Sequence, residues 1–190
     1  LKNYRLILAS ASPRRRELLA GCDLDFTLAD KFECEECYPA DLAADKVAEN
    51  LSQLKSNAYP HALGEKEILL TADTVVILGD KILGKPHSEA EAVEMISSLS
   101  GATHKVVTGV TLRTAKQTIS FSAESLVTFR NLDNEEILYY VEKYRPLDKA
   151  GAYGIQEWIG YIGIEGIEGS FYNVMGLPVQ RLYSALKELI

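Results

Sequence analysis

The residue with the clearest chemical potential is an aspartate inside an apolar run. Asp73 lies within residues 68–78, which otherwise read as a buried strand. A carboxylate in such a strand is costly unless it is paired or bound to a metal ion. The pattern leaves two interpretations open: an ion pair with a lysine, or a catalytic or metal-binding aspartate. Lys85, which follows the predicted return strand, can bring a cation to the same end of the sheet.

A second group of candidate residues opens the first predicted helix. Ser12 and Pro13 are typical of a helix start, and Arg14 and Arg15 follow directly. Backbone N–H groups at a helix N-terminus and guanidinium groups both suit phosphate oxygens. Cations at this end disfavour a helix by about 0.3–1 kcal/mol each, and a bound anion would reverse that effect. The alternative is a solvated basic turn paired with acidic residues.

Two further segments carry weaker signals when each is taken alone. Glu36 on a predicted loop and Lys55 on a predicted helix are residue types that are usually only solvated. Residues 148–156 are rich in small side chains, which allow the backbone to approach a ligand. Gln156 ends this segment and offers both a hydrogen-bond donor and an acceptor. The alternative for the segment is a tight turn that packs Tyr153 into the core.

Composition narrows the class of protein. The net charge of −7 weighs against a general nucleic-acid binder, since affinity for a phosphate backbone is mostly electrostatic. Three cysteines, with no secretory segment at the start, argue against a disulfide framework. The longest apolar runs are the length of a strand, so we expect no membrane span and a cytoplasmic protein. With 190 residues, a single domain over residues 1–190 is the default expectation.

The elements that must position these residues follow from periodicity and capping signals. Strands are predicted at residues 6–9, 68–78, 81–83, 106–113 and 118–130. Helices are predicted from Ser12 to Gly21, over 41–58, from Ser88 to near residue 101, from Asp133 to Pro146, and over 179–189. The glycine-rich residues 151–176 are expected to form ordered loops and short strands. Helices that alternate with an antiparallel middle favour a mixed-sheet α/β or α+β domain over a doubly wound parallel fold.

Taken together, these segments resemble the Maf family of nucleotide pyrophosphatases. The matching stretches are residues 8–15, 72–76, 84–86, 99–101 with His104 and 106–108, 146–156, and 169–178. The resemblance implies an α/β fold with a mixed parallel and antiparallel sheet, like that of the inosine triphosphatases, with two lobes around a cleft. It also implies cleavage between the α- and β-phosphates of a nucleoside triphosphate, and it is consistent with a homodimer.

The resemblance also implies a role for each candidate residue. Asp73 falls on the proton acceptor, and Asp73 with Glu36 on the positions near a divalent metal, which can be Mg²⁺, Mn²⁺ or Co²⁺. The phosphate-binding positions are Ser12, Arg14, Arg15, Lys55 and Lys85. Arg14, Thr74 and Gln156 fall on base-specificity positions of the branch that acts on dTTP and UTP. One carboxamide suits these bases, because it can accept from N3–H while donating to O4.

Two rival functions stay open at this point. One is a non-catalytic nucleotide-binding regulator of septum formation, which needs a basic site but no activated water. The other is a pyrophosphatase for 7-methyl-GTP, the substrate of the sister branch. A housecleaning role, with modified pyrimidine nucleotides as substrates and a link to arrest of cell division, is a further implication of the resemblance.

Overall fold

The computed structural model describes residues 3–190. Its strands are β1 (Arg5–Leu8), β2 (Phe26–Leu28), β3 (Glu67–Leu78), β4 (Lys81–Leu83), β5 (Thr103–Arg113), β6 (Thr118–Phe129) and β7 (Ile164–Glu168). Its helices are α1 (Pro13–Gly21), α2 (Ala44–Ala58), α3 (Glu89–Leu99), α4 (Asn134–Tyr144), α5 (Trp158–Gly163), α6 (Phe171–Met175) and α7 (Val179–Leu189), with a 3₁₀ turn at Ala150–Ala152. Within this range, no helix combines the length and the apolarity needed to cross a bilayer.

The strands form one mixed sheet in the order β2-β1-β3-β5-β6-β7, and β4 pairs with β3. β1 runs parallel to both β2 and β3, since Leu6 pairs with Phe26 on one side and with Ile68 on the other. β4 is antiparallel to β3, and β7 is antiparallel to β6. The predicted mixed parallel and antiparallel sheet is therefore confirmed. The three-residue strand β2 was not predicted, because a segment this short gives no periodic signal.

Helix starts follow the capping signals to different degrees. Asp133 and Glu136 form a reciprocal capping box at α4. At α3, Ser88 accepts a hydrogen bond from the Glu91 N–H, but the Glu91 carboxylate accepts from the backbone of His87 instead of returning to Ser88. Ser12 occupies the N-cap position of α1, yet its side chain makes no capping hydrogen bond. The predicted helix start at Ser12 and Pro13 is therefore confirmed, without a side-chain cap.

The glycine-rich segment contains more helix than its composition suggested. Residues 151–176 were expected to form loops and short strands, and β7 fits that expectation. The same segment also holds the short helices α5 and α6. Gly160 lies inside α5, where an added Cβ would be 1.7 Å from the carbonyl oxygen of Ile155. The glycine therefore permits a close packing of α5 that a general loop signal does not reveal.

The chain divides into two compact units, each assembled from separate segments. Unit 1 comprises residues 1–74, 108–123 and 176–190, and unit 2 comprises residues 75–107 and 124–175. In unit 1, Ile7, Ala9 and Leu69 are buried beside the partly buried rings of Phe32 and Tyr59. In unit 2, a larger core includes Ile96, Phe129, Tyr140, Ala152 and Ile159. The expectation of one domain over the whole chain stays a prediction.

His104 is a buried polar group within the core of unit 2. Its side chain is 1% exposed, and its Nε2 atom lies 2.6 Å from the Tyr153 hydroxyl. The ring stacks on Phe129 with centroids 5.5 Å apart, and Nδ1 has no hydrogen-bond partner among residues 3–190. Burial lowers the pKa of His104 to about 4. The folded protein therefore holds a neutral imidazole at neutral pH.

This burial predicts that acid destabilises the fold through His104. Above pH 6.5 the imidazole is neutral in both states, whereas between pH 6.5 and about 4 only the unfolded chain takes up the proton. Stability attributable to His104 should therefore fall by about 2–3 kcal/mol between pH 7 and pH 4.5. Urea unfolding at both pH values measures this loss for the wild type and for His104→Gln. An equal loss in the variant would contradict the assignment to His104.

Candidate functional site

The site begins with an ion pair on β3. Asp73 and Thr74 are adjacent half-buried positions in a strand whose other central residues are buried, and strand alternation directs their side chains to opposite faces of the sheet. The Lys55 ammonium on α2 lies 2.6 Å from Asp73 Oδ1 and 3.2 Å from Glu36 Oε1. The ion pair with a lysine, one of the two interpretations of Asp73, is therefore observed. The lysine is itself a predicted phosphate-binding residue, so the ion pair is compatible with the second interpretation, a catalytic or metal-binding aspartate.

The position of α2, and hence of Lys55, depends on close packing against the sheet. Gly109 on β5 has no room for a side chain, because an added Cβ would be 2.3 Å from the backbone of Ala48. Ser52 then links the helix to two strands. Its carbonyl accepts a 2.7 Å hydrogen bond from the Thr71 hydroxyl, and its hydroxyl lies 2.7 Å from that of Thr111. Thr71 and Asp73 are two residues apart and therefore share the face of β3 that meets α2.

Arg15 forms the second cluster of the site. Its guanidinium is buried and donates from three nitrogens to three parts of unit 1. Nε donates to the carbonyl oxygen of Gly176 at 2.8 Å, and the two terminal nitrogens donate to Ser10 Oγ at 3.2 Å and Thr74 Oγ1 at 3.1 Å. Thr74 Oγ1 in turn lies 2.9 Å from Thr108 Oγ1. Arg15 thereby fixes the residue that follows Asp73.

Charge links the two clusters. Burial lowers the pKa of the Arg15 guanidinium, and the negative charge of Asp73 is the strongest influence in the opposite direction. Glu36 acts in the same sense as Asp73, while the neighbouring Arg14 reinforces the effect of burial. Asp73, Glu36 and Arg14 therefore all lie within electrostatic range of Arg15. This part of unit 1 concentrates cations around two acids.

The donor set can be compared with what a metal ion requires. Within residues 3–190, no three His, Cys, Asp or Glu side chains are grouped so that they could hold a metal by themselves. Two carboxylates, from Asp73 and Glu36, do converge on one nitrogen of Lys55. Mg²⁺ is commonly held by one or two carboxylates together with substrate phosphates, not by an all-protein cage. The residues present fit that second mode.

Cys34 and Cys37 flank Glu36 and are free thiols. Burial is the main factor that raises the pKa of Cys34, and the Glu36 carboxylate adds to it. The Cys37 thiol has a raised pKa because it hydrogen-bonds to the Glu35 carboxylate. Both thiols therefore stay protonated near neutral pH in the protein without a metal.

The remaining predicted site residues are distributed between the two units. Ser12 and Arg14 lie at the start of α1 in unit 1, beside the Arg15 cluster. Lys85 and Gln156 belong to unit 2. Lys85 is exposed, and the residue before it, Gly84, accepts a 3.1 Å backbone hydrogen bond from Gly151. The roles that the resemblance implies for these four residues stay predictions.

Three partners of Arg15 and Thr74 were missed as individual site residues. Ser10 accepts from both Arg15 and the backbone N–H of Ser12. Its place at the end of the first apolar run, two residues before the helix start, was an available signal. Thr108 and the carbonyl of Gly176 gave no such signal, because only the tertiary fold brings them to residues 15 and 74. Gly176 has a φ of +121°, a conformation that favours glycine.

The fold and the site define a mixed α/β protein with adjoining clusters of carboxylates and cations. The family model described as Maf-like protein matches residues 5–189. The chain therefore belongs to the Maf family. The resemblance noted from short motifs is confirmed over almost the whole chain.

Relatives of similar length support this placement. A protein of Bacteroides thetaiotaomicron named dTTP/UTP pyrophosphatase is 53% identical over 189 residues, covering 100% of this chain and 98% of its own. A protein of Porphyromonas gingivalis with the same name is 53% identical over 190 residues, with 99% and 96% covered. Among solved structures, a HAM1 protein from Coxiella burnetii is 12% identical with a TM-score of 0.49, covering 97% of this chain and 99% of its own.

The bonds of Arg15 predict that this residue stabilises the fold. In Arg15→Lys, one ammonium cannot replace three donors that reach three separate acceptors, so the free energy of unfolding should fall by about 2–4 kcal/mol. Arg16→Lys is the matched control, because Arg16 is the next residue along the chain and is exposed. It should change stability by less than about 0.5 kcal/mol. Urea unfolding compares the two, and equal values for both variants would refute a stabilising role for Arg15.

Proposed function

We propose that this protein hydrolyses dTTP and UTP to the nucleoside monophosphate and pyrophosphate. Support comes from full-length relatives that carry the name dTTP/UTP pyrophosphatase. The observation that carries the proposal is the Asp73 carboxylate, held in a strand beside Lys55 and Glu36. A nucleoside triphosphate is the partner that this chemistry requires, and a cytoplasmic location goes with such a substrate.

The clustered charges suit a polyanionic substrate. The Lys55 ammonium lies between the carboxylates of Glu36 and Asp73, so a cation is placed at the site where the substrate phosphates are proposed to bind. Arg14 adds a guanidinium at the start of α1, where backbone N–H groups also favour an anion. Lys85 is assigned to the phosphates by its position in the family motif. Arg15 donates from three of its nitrogens to groups within the protein. Its main contribution is therefore to hold Thr74 in place and to supply a fixed positive charge near Asp73.

The reaction is an in-line displacement at the α-phosphorus. A water oxygen bonds to that phosphorus, the bond to the α–β bridging oxygen breaks, and pyrophosphate leaves with the electron pair of that bond. Asp73 accepts the proton that the water loses. Catalysis of such a step rests mainly on positioning and on charge stabilisation. The lysine and arginine side chains supply that stabilisation as negative charge moves toward pyrophosphate.

Asp73 and Glu36 are the residues that would hold a divalent metal together with triphosphate oxygens. When bound, Mg²⁺, Mn²⁺ or Co²⁺ lowers the pKa of a coordinated water and neutralises phosphate charge. Metal binding there would compete with Lys55 for the same two carboxylates. The ammonium would then be available to the phosphates. Lys55 would thus pair with the two carboxylates when no metal is bound and with the phosphates when metal and substrate are bound.

Base selection is assigned first to Gln156. Gln156 Oε1 is buried and has no hydrogen-bond partner among the described residues, so a ligand N–H would satisfy it. The N3–H group of uracil and thymine meets this requirement, and cytosine presents an acceptor at the same position. Arg14 and Thr74 join Gln156 in this role through the family resemblance.

A substrate panel tests the proposed function directly. Purified protein should release pyrophosphate from dTTP and UTP faster than from CTP, GTP and 7-methyl-GTP, and chelation of divalent ions should abolish the release. The assay measures pyrophosphate with Mg²⁺, Mn²⁺ and Co²⁺ in turn. Preference for 7-methyl-GTP would place the chain in the sister branch. No release from any triphosphate with any metal would overturn the enzyme assignment in favour of a nucleotide-binding regulator.

Replacement of the proposed proton acceptor gives a second prediction. Asp73→Asn should lower kcat on UTP by at least about 10²-fold, because the amide cannot accept the water proton. Folding should survive, since the amide keeps the shape of the side chain. Asp80→Asn, in the exposed turn after β3, is the matched control and should keep the wild-type rate. A near-normal kcat for Asp73→Asn with saturating Mg²⁺ would exclude Asp73 as the acceptor.

A further inference from the structure

A buried lysine lies on the segment that leads to Gln156. Lys149 is 9% exposed, and its ammonium is 2.9 Å from Glu157 Oε1 and 3.0 Å from Asp148 Oδ1. The Glu157 side chain is 17% exposed and that of Asp148 is 66% exposed. Glu157 is therefore the partner that shares the buried environment. Buried ion pairs contribute little to stability relative to apolar replacements, and their best-attested use is to specify one arrangement.

The second oxygen of Glu157 extends the pair into a chain of hydrogen bonds. Glu157 Oε2 accepts from the Tyr140 hydroxyl at 2.8 Å, and the same hydroxyl accepts from the Gly154 N–H at 3.0 Å. Burial raises the pKa of Tyr140 well above its ordinary value, so this hydroxyl keeps its proton. The carboxylate of Glu157 thus connects Lys149, at one end of the segment, with Gly154, which lies close to its other end.

The backbone around Gln156 is fixed as well. The Glu157 N–H donates to the Gly154 carbonyl at 3.0 Å, and the Gly160 N–H donates to the Glu157 carbonyl at 2.9 Å. A Cβ on Gly154 would lie 2.9 Å from Glu157 Oε1 and 3.0 Å from Lys149 Cε. Glycine at this position therefore leaves the space in which the ion pair forms.

Gln156 lies between these anchored residues and carries an unsatisfied acceptor. Its Oε1 atom is buried without a hydrogen-bond partner in the described part of the chain. A buried acceptor in this state destabilises the protein unless a ligand donates to it. A ligand with a donor there gains that hydrogen bond, and one with an acceptor there does not. The discrimination depends on holding the amide in one place.

We propose that Lys149 and Glu157 are positioning residues for base selection: their ion pair fixes the main chain on either side of Gln156, so that its amide favours a uracil-type base over cytosine. This inference rests on the proposed function, because it assigns a structural origin to the base preference of that site. Lys149 and Glu157 act through Gln156 and need not contact the nucleotide.

The test compares the discrimination between UTP and CTP in wild type and in Glu157→Gln. The variant can still accept from Tyr140, but it leaves Lys149 without its buried partner. The ratio of kcat/KM for UTP to that for CTP should fall about tenfold or more, the range expected when a site loses one oriented hydrogen bond, while kcat on UTP changes less than about threefold. The matched control Glu142→Gln, on an exposed position of α4 in the same unit, should keep the wild-type ratio.

A second variant separates positioning from a loss of folding. This double variant combines Lys149→Met with Glu157→Gln. Both charges of the ion pair are removed, so no unpaired buried charge destabilises the protein. The double variant should unfold at a urea concentration close to that of wild type, yet show the same loss of discrimination as Glu157→Gln. A wild-type ratio in both variants would overturn the proposal.

Equilibrium binding of UMP and CMP by calorimetry makes the result independent of catalysis. If the wild type releases no pyrophosphate but binds UMP more tightly than CMP, and Glu157→Gln loses that preference, the proposed hydrolase function fails and the positioning role stands. If the wild type binds both monophosphates equally, the positioning role fails whatever the rate of hydrolysis. The two ideas can therefore be rejected separately.

Discussion

The interaction on which the site depends is the 2.6 Å contact between the Lys55 ammonium and the Asp73 carboxylate. A carboxylate in the middle of a strand needs a compensating charge, and that charge comes from a helix 18 residues earlier in the chain. The helix must therefore approach the sheet closely. That approach is possible because Gly109 has no side chain. It is held by short hydrogen bonds between Ser52 and the hydroxyls of Thr71 and Thr111. The close packing of α2 against the sheet is therefore a requirement for the ion pair at Asp73.

Two buried cations, Arg15 and Lys149, hold chain segments in place in the two units. Arg15 joins Ser10, Thr74 and Gly176 within unit 1. Lys149 joins Asp148 and Glu157 within unit 2. The two side chains solve the problem differently, since the planar guanidinium of Arg15 reaches three separate acceptors and the ammonium of Lys149 acts as a point charge between two carboxylates. In each case a residue next to a predicted functional group is fixed, namely Thr74 beside Asp73 and Glu157 beside Gln156.

The sequence predicted the regular elements well where a local signal existed. The strand that contains Asp73 and the helix that carries Lys55 were visible from apolar periodicity, and the mixed sheet followed from the order of the elements. Glu36 and Lys55 gave weak signals alone, because their meeting at Asp73 depends on a loop whose path no local pattern records. The position of Arg15 in an N-terminal turn suggested a phosphate ligand. Burial of its guanidinium could not be foreseen, since two of its acceptors, Thr74 and Gly176, are far away in sequence.

The ion pair of Lys149 with Glu157 could not be predicted for a similar reason: the intervening turn at Gly151 and Gly154 brings the two side chains together.

The bond between Arg15 and the Gly176 carbonyl joins residues 161 positions apart, which bears on how the protein is made. A ribosome adds about 5–20 residues per second, so Arg15 is synthesised roughly 8–32 seconds before its acceptor. During that interval α1 can form, but its guanidinium lacks the carbonyl that receives Nε in the finished fold. Complete assembly of the Arg15 cluster must therefore wait until residue 176 has been synthesised, and a nascent protein truncated before that residue would lack a finished cluster.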